Sequence, residues 1–415
     1  MLKNKTFQKR KIFNICNIYI LLWCLYNFHW HSTGAIPALE VFSNVILAIN
    51  LTISIVCAVI VLNQKTYPNI FKSITILVLL FTFYGVFSII QDESIYIRFS
   101  GTKISNGSYL IGALRTFLPI YTFYYFARRG LLTTQAIRFW TWIFFAQSIY
   151  FYMIWRMNHM LVSIDMLLTN GTSYLFVSLL PLVFFFRKNI IQYSLIGLVI
   201  FAVLLSVKRG AILTTAIGVS FFLMLKLKNA TGKRRLFVLI LTFIVIAITS
   251  NIVSNLSRND MFQSRLEETI SGDDSGRSEI SAELLNAYLN QSTAKEFLFG
   301  FGADGTLKIS FNYAHNDWLE MLVDQGLLGF CFYLLFWLIL FKVWRKSKRN
   351  ELCYSVFGMI FLIGIFETFF SMWYSNTDVF TTLPLGYCIA MISLKGSNSN
   401  EFVLQKNSLI GQDSV

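Results

Sequence analysis

Long runs of apolar residues constrain this chain more than any other feature of its sequence. A helix crosses the hydrocarbon core of a bilayer, about 30 Å thick, with about 20 apolar residues. About twelve such runs occur in the 415 residues, near 12–30, 39–62, 70–90, 109–127, 139–156, 168–186, 190–206, 211–227, 236–253, 318–341, 352–370 and 378–394. Only 13% of the residues are charged, against about a quarter in a soluble domain. The sequence therefore excludes a water-soluble enzyme and predicts an all-α, polytopic integral membrane protein with about twelve transmembrane helices.

Lysine and arginine are distributed unevenly between the two sides that these helices define. With the N-terminus inside, about two thirds of the 35 Lys and Arg residues lie in inward-facing segments. Basic residues accumulate in cytoplasmic loops, so both termini are predicted to be cytoplasmic. The same asymmetry accounts for most of the net charge of +14, and nucleic acid is not expected as a partner. The predicted organisation is transmembrane helices 1–9 in 1–253, one large outer loop in 254–317, transmembrane helices 10–12 in 318–394, and a cytoplasmic tail in 395–415.

The outer loop 254–317 is polar, and its acidic residues outnumber its basic residues two to one. Ile280, Leu284 and Tyr288 recur at a spacing of four residues, which predicts a helix over 278–290. A helix with an apolar face buries that face, so we interpret the loop as a small folded lid over the outer surface. A solvated spacer is the alternative.

Lys208 and Arg209 depart from the charge rule, because they lie in a very short turn that faces outward. Gly210 follows them and is expected to let the chain turn tightly into the next helix, whose first amides point to the same place. Cations beside a helix N-terminus form a site for an anion. The alternative is that both side chains extend to lipid phosphates.

Two further arginines are candidates for the same kind of site. Arg115 lies inside the fourth apolar run, where an arginine usually serves a function; the alternative is a structural pair with an acidic group of another helix. Arg277 directly precedes the predicted loop helix, and a helix N-terminus again favours a bound phosphate. Its alternative is a local ion pair with the Asp273–Asp274 segment.

A group of polar residues marks the return from the loop into the tenth run. Asp317 and Glu320 have the spacing of a capping box that begins a helix. His315 precedes that cap at the water–membrane boundary, where it is expected to titrate near neutral pH. A single interfacial histidine often has no special role, but the nearby outer cations make His315 a candidate general base. Gly326 and Gly329 are expected to allow close helix packing.

Arg209, Arg277, Arg115 and His315 are all predicted to reach one outward-facing cavity under the loop. Guanidinium groups at the depth of lipid phosphates suit a lipid-linked diphosphate. The fitting reaction is transfer of a sugar from a polyisoprenyl diphosphate to an acceptor hydroxyl, in which the cations stabilise the departing diphosphate and His315 takes the proton. Nothing in the sequence demands a metal or another cofactor, and none is predicted; a metal on the Asp273–Asp274 segment is the alternative.

Several short motifs resemble the O-antigen ligase and O-antigen polymerase family. The most specific of them is AHNDWLEML at 314–322, followed by GLLG at 326–329. SGR at 275–277 and FGFG at 299–302 precede it in the family's usual order, and KRGA at 208–211 is similar to the family's short Ser-Arg-Gly turn. The number of helices and the single large outer loop agree with this resemblance.

The resemblance implies a GT-C-like, inverting glycosyltransferase that needs no metal and uses undecaprenyl-diphosphate-linked oligosaccharides. It would act at the outer face of the bacterial inner membrane, with membrane lipid, a chain-length regulator and a flippase as further partners. In the family, the corresponding arginines bind the diphosphate and the histidine lies at the acceptor site. The predicted catalytic residues are His315, Arg277 and Arg209. The predicted residues for binding diphosphate and glycan are Lys208, Arg209, Arg277, Arg115 and Asn316.

Two functions of one class follow from such a donor site. A polymerase joins lipid-linked repeat units into O antigen or capsule, and a ligase transfers the finished glycan to lipid A-core or protein. We favour the polymerase because polymerases are the more numerous branch. A flippase or transporter of lipid-linked oligosaccharide also fits the number of helices, but 1–207 and 208–415 show no repeat relation. A structural scaffold leaves the buried cations unexplained.

Overall fold

The helices of the computed structural model follow the apolar runs of the sequence. The structure describes residues 14–32, 37–91, 95–96, 103–104, 107–160, 172–206, 208–256, 276–371, 373–376 and 379–397. The described helices that precede the lid are α1 (Ile15–Ser32), α2 (Pro37–Leu62), α3 (Asn69–Gln91), α4 (Ser108–Arg128), α5 (Thr134–Met160), α6 (Ser173–Ser178, continued by a 3₁₀ helix Leu180–Phe185), α7 (Asn189–Leu205), α8 (Arg209–Asn229) and α9 (Gly232–Leu256). The lid contains α10 (Arg277–Asn286), α11 (Ala294–Phe299) and α12 (Gly305–Ser310), and the chain ends in α13 (Asp317–Lys346), α14 (Glu351–Phe370), α15 (Trp373–Asn376) and α16 (Val379–Ser397).

Each predicted apolar run overlaps a helical segment, so the prediction of an all-α membrane protein is confirmed. Five helices of the described chain are long and apolar enough to cross a membrane: Val41–Leu62, Asn69–Ile90, Arg209–Asn229, Asp317–Arg349 and Glu351–Phe370. Shorter apolar helices are Ile15–Phe28, Ser173–Phe185, Asn189–Leu205 and Val379–Leu394. The total of about twelve crossings stays a prediction, as do the GT-C-like arrangement and the cytoplasmic position of the termini.

Helix α4 lies at the centre of the bundle, where it packs against α16, α2 and α3. Its middle turns, from Thr116 to Tyr124, are buried without interruption. A helix that is apolar on all faces and covered on all faces belongs to the interior of a bundle. Between α3 and α4, the strands β1 (Ile95–Tyr96) and β2 (Lys103–Ile104) form a short antiparallel ribbon with Ile95 opposite Ile104.

The lid contains the helix that the sequence predicts over 278–290. Helix α10 spans Arg277–Asn286, and a π-helical turn continues it through Ala287–Gln291. Leu284 and Tyr288 form a small apolar core with residues of α13, among them Leu319 and Val323. The lid is therefore folded onto α13 within 276–316, while Asp273 and Asp274 lie outside the described residues.

Two glycines allow the backbone of the lid to contact the backbone of α13. Gly326 interrupts that helix with φ 67° and ψ −167°, and Gly300 at the end of α11 has φ 75°. A Cβ atom on Gly326 would lie 2.5 Å from the carbonyl carbon of Leu298, and one on Gly300 would lie 2.4 Å from that of Asp324. Only glycine tolerates both the positive φ and this backbone contact. Gly326 thus packs closely, as predicted, and its partner is the lid backbone. A Cβ on Gly329 would meet the Gln325 side chain of its own helix, so Gly329 gives no close approach between elements.

Candidate functional site

His315 lies in the turn that leads from the lid into α13. Its φ of 52° is in the left-handed region. Asn316, the next residue, is the N-cap of α13: its Oδ1 accepts hydrogen bonds from the backbone N–H groups of Trp318 at 3.0 Å and Leu319 at 3.3 Å. The first helical residue is Asp317, two positions after His315, so the backbone of His315 lies at the N-terminus of α13.

The predicted capping box of Asp317 and Glu320 is wrong. The Asn316 side chain already satisfies the first amides of α13, and both carboxylates turn into the protein and are buried. Asp317 accepts hydrogen bonds from the hydroxyl of Tyr333 and from the backbone N–H of Tyr374. The acidic residues at this helix start therefore connect α13 to other segments of the chain.

Two cations face His315 from other parts of the chain. The His315 side chain is exposed at the surface, but the protein around it still displaces part of its water. This partial desolvation, which is the largest cause, and the positive charges of Arg277 and Lys208 together lower the pKa of His315 to about 4. Like charges near an imidazole disfavour its protonated form. The expectation of titration near neutral pH is therefore wrong, and the site presents a neutral imidazole beside two cations.

Arg277 reaches this place from the first position of α10. Gly276 before it is the N-cap, in the left-handed conformation. The Nη1 of Arg277 donates a hydrogen bond to the carbonyl oxygen of Phe370 at 3.5 Å, and the hydroxyl of Tyr174 donates to the same carbonyl, also at 3.5 Å. The end of α14, the start of α6 and the lid thus meet at Arg277, whose charge acts on His315.

The start of α8 also packs against Tyr174 and Phe370. Lys208 is the N-cap residue of α8 and Arg209 is its first residue; both are half-buried. A Cβ on Gly210 would lie 2.4 Å from the Tyr174 hydroxyl and 2.9 Å from the Cβ of Phe370. The connection between α7, which ends at Leu205, and α8, which begins at Arg209, is as short as the sequence predicts. Gly210 lies inside α8, however, so it serves close packing of that helix and not the turn.

Arg115 has a different set of contacts. Its Nη1 donates a hydrogen bond to the hydroxyl of Tyr26 at 3.1 Å, and its guanidinium lies 5.8 Å from the centre of that ring. This contact joins α4 to α1. The structure thus brings Lys208, Arg277 and His315 together, with Arg209 beside Lys208, while the role of Arg115 in diphosphate binding stays a prediction.

Sequence reasoning missed Tyr174 and the carbonyl of Phe370. A tyrosine at the edge of an apolar run resembles the other aromatic residues of such a chain, and a backbone carbonyl carries no side-chain signal. The contact between Gly210 and Tyr174, which belong to two helices, is visible only once α6 and α8 are packed. Within the described residues, His, Cys, Asp and Glu form no group of three or more that could hold a metal ion.

Residues 194–334 match a family model described as O-antigen ligase. The match covers about a third of the chain and includes Lys208, Arg209, Arg277 and His315, whereas Arg115 lies outside it. The resemblance drawn from the short motifs is thereby confirmed for this segment. No curated protein matches the chain.

Proposed function

We propose that this protein is a membrane glycosyltransferase that moves a glycan from a polyisoprenyl diphosphate to an acceptor hydroxyl. The observation that carries the proposal is the convergence of Lys208 and Arg277 on His315, from the start of α8, the lid and the start of α13. Two cations suit an anionic leaving group, and the adjacent neutral imidazole suits proton removal. The O-antigen ligase match over 194–334 supports the same class of reaction.

The cations would bind the diphosphate of the donor. The contact of Arg277 with the Phe370 carbonyl is long, at 3.5 Å, so the guanidinium can exchange it for stronger, bidentate contacts with phosphate. Lys208 and Arg209 lie at the N-terminus of α8, where the positive end of the helix dipole adds to their charge. The three cations would stabilise the negative charge that develops as the diphosphate leaves.

The reaction breaks the bond between the anomeric carbon and the diphosphate oxygen and forms a bond to the acceptor oxygen. We propose direct attack from the opposite face, which inverts the anomeric configuration, with His315 accepting the hydroxyl proton. In the ligand-free site the cations hold the pKa of His315 low. A bound diphosphate offsets those charges and raises the pKa of His315, which makes the imidazole a better base when the donor is present.

Within this class we propose a polymerase that joins undecaprenyl-diphosphate-linked repeat units into a surface polysaccharide at the outer face of the bacterial inner membrane. A ligase that transfers the glycan to lipid A-core or protein is the second candidate, and the description of the matched family model favours it. Both use the same donor site and differ in the acceptor.

Analysis of surface glycans from a deletion strain tests the proposal. A core that carries a single repeat unit identifies the polymerase, because ligation continues without chain growth. A bare core with long glycans retained on the lipid carrier identifies the ligase. Loss of every outward-facing lipid-linked intermediate would instead indicate a flippase and contradict the proposed reaction.

A further inference from the structure

A buried carboxylate holds the turn that carries His315. Glu320 is fully buried, and its Oε1 accepts a hydrogen bond of 2.6 Å from the backbone N–H of Ala314. The backbone N–H of His315 donates to the same carboxylate. Two successive amides therefore converge on one side chain from the first turns of α13.

The backbone of His315 shows why such a contact matters. A non-glycine residue in the left-handed region, here with φ 52°, is strained and keeps that conformation only where its surroundings hold it there. Glu320 binds the amides of Ala314 and His315 on one side, and Asn316 caps the helix on the other. These contacts fix the backbone from which the imidazole faces Arg277 and Lys208.

The second oxygen of the same carboxylate connects the turn to the lid. The hydroxyl of Thr306, in α12, donates a hydrogen bond of 2.6 Å to Oε2 of Glu320. The backbone N–H of Thr306 donates to Oδ1 of Asp324 at 3.0 Å, one turn further along α13. Thr306 is fully buried. Glu320 is thus shared between the lid and the His315 turn.

We propose that Glu320 is a positioning residue that sets the orientation of His315 toward the acceptor and couples it to the lid. Its effect on catalysis rests on the proposed transfer reaction, whereas its effect on His315 does not. Glu320 acts through the backbone of His315. The donor-binding cations Lys208 and Arg277 belong to other segments, so loss of Glu320 slows transfer more than it weakens donor binding.

The first measurement reports on His315 without any turnover. The other three histidines, His29, His31 and His159, are replaced by glutamine in the full-length protein, so that ¹⁵N-labelled His315 gives the only imidazole signals in the NMR spectrum. Glu320→Ala is expected to shift and broaden these signals. Glu320→Gln is expected to retain them, because the amide oxygen still accepts from Ala314 and the amide nitrogen can donate to Thr306 Oγ1. Unchanged His315 signals in Glu320→Ala overturn the proposal.

The second measurement is the rate of glycan transfer in liposomes with a polyisoprenyl-diphosphate oligosaccharide as donor. Displacement of a catalytic group by about 1 Å costs about 100-fold in rate. We therefore expect Glu320→Ala to lower kcat by about 100-fold, with the donor KM within about threefold of wild type. Glu320→Gln should recover most of that rate. The matched control is Glu283→Gln, at an exposed position of α10, and it should retain the wild-type rate.

Thr306→Val keeps the test decisive if Glu320→Ala does not fold, because valine has the shape of threonine without the hydroxyl. Thr306→Val is expected to lower kcat and to shift the His315 signals. Thr306→Ser is expected to keep the wild-type kcat and the wild-type His315 signals. Wild-type signals and rate in Thr306→Val overturn the proposal, as does an equal loss of kcat and donor binding in Glu320→Ala. If the wild-type protein transfers no glycan but Glu320→Ala displaces His315, the proposed function fails and the positioning role of Glu320 stands.

Discussion

At the residue scale, the chemistry of this site depends on the charges that surround one imidazole. His315 is neutral because partial desolvation by the surrounding protein and two cations, Arg277 and Lys208, disfavour its protonated form. A neutral histidine can accept a proton, whereas the cations beside it can only stabilise negative charge. The two roles are therefore divided between adjacent side chains, and each can be tested separately.

His315→Ala and Arg209→Ala are each expected to abolish detectable glycan transfer while the protein remains at its normal level in the membrane. Loss of a general base alone reduces a rate by about 10²–10⁴-fold, and loss of Arg209 removes charge from the proposed site of the leaving diphosphate. The measurement is product formation from a lipid-linked donor, with Lys295→Ala, an exposed lid position, as the control. Full-length product from both variants would show that these residues are not the site.

The pH dependence follows from the lowered pKa of His315. The folded pKa is about 4 and the ordinary value is 6.5, so the unfolded chain binds more protons between these two values. The contribution of His315 to stability is complete above pH 6.5 and is lost as the pH falls toward 4. For the proposed transfer reaction, the acid limb of kcat/KM, which reports the donor-free protein, is expected to lie near the lowered pKa.

Lys208→Gln removes one of the two cations and is expected to raise the pKa of His315, which moves the acid limb of kcat/KM to higher pH. Lys208→Arg keeps the charge and should leave the limb in place. The measurement is the pH profile of transfer for the two variants and the wild type. An acid limb that stays in place for Lys208→Gln contradicts the electrostatic assignment.

At the scale of elements, the site depends on how closely the start of α8 approaches α6 and α14. Gly210 lies within the first turn of α8 and lets Tyr174 and Phe370 come against its backbone. Lys208 and Arg209 are adjacent to this contact, so their position depends on a glycine that carries no charge. The same logic applies to Gly300 and Gly326, which bring the lid into backbone contact with α13.

Gly210→Ala is expected to destabilise the protein by about 1–3 kcal/mol, as overpacking does in other cores, and to reduce transfer because Lys208 and Arg209 shift with α8. Tyr174→Phe removes the hydroxyl that lies 2.4 Å from the added Cβ and should restore part of the loss. Thermal unfolding and transfer rate are the measurements.

The control for this prediction is Gly197→Ala in α7, where an added Cβ meets nothing within 4 Å. Gly197→Ala should leave the free energy of unfolding unchanged or raise it by about 1 kcal/mol, because alanine has a higher helix propensity than glycine. Similar losses in Gly197→Ala and Gly210→Ala would show that the contact with Tyr174 is unimportant.

At the scale of the whole molecule, the lid and the N-terminus of α8 must lie on the outer side if the donor is an outward-facing lipid-linked glycan. The charge distribution predicts this orientation. A membrane-impermeant maleimide applied to intact cells tests this orientation. It is expected to label Lys295→Cys in the lid but not Lys228→Cys near the end of α8. Five of the native cysteines are buried and Cys331 is exposed, so a cysteine-free background is used, and the reverse labelling pattern would refute the proposed orientation.

The sequence predicted the features that depend on local patterns. Length and apolarity predict membrane helices because a bilayer imposes both requirements on each segment separately, and the four-residue spacing of Ile280, Leu284 and Tyr288 predicted the lid helix that α10 confirms. The short motifs around His315 indicated the resemblance that the family match confirms for residues 194–334.

Only the tertiary structure decided which groups meet. Asn316 caps α13 in place of Asp317, Glu320 binds the His315 turn and the lid, and Tyr174 packs on Gly210. Each of these contacts joins residues whose hydrogen-bonding capacity is evident from the sequence but whose partners depend on helix packing. The pKa of His315 is likewise a property of charges from distant segments. Local spacing determines where a helix runs, whereas burial and non-local contacts determine what its polar residues do.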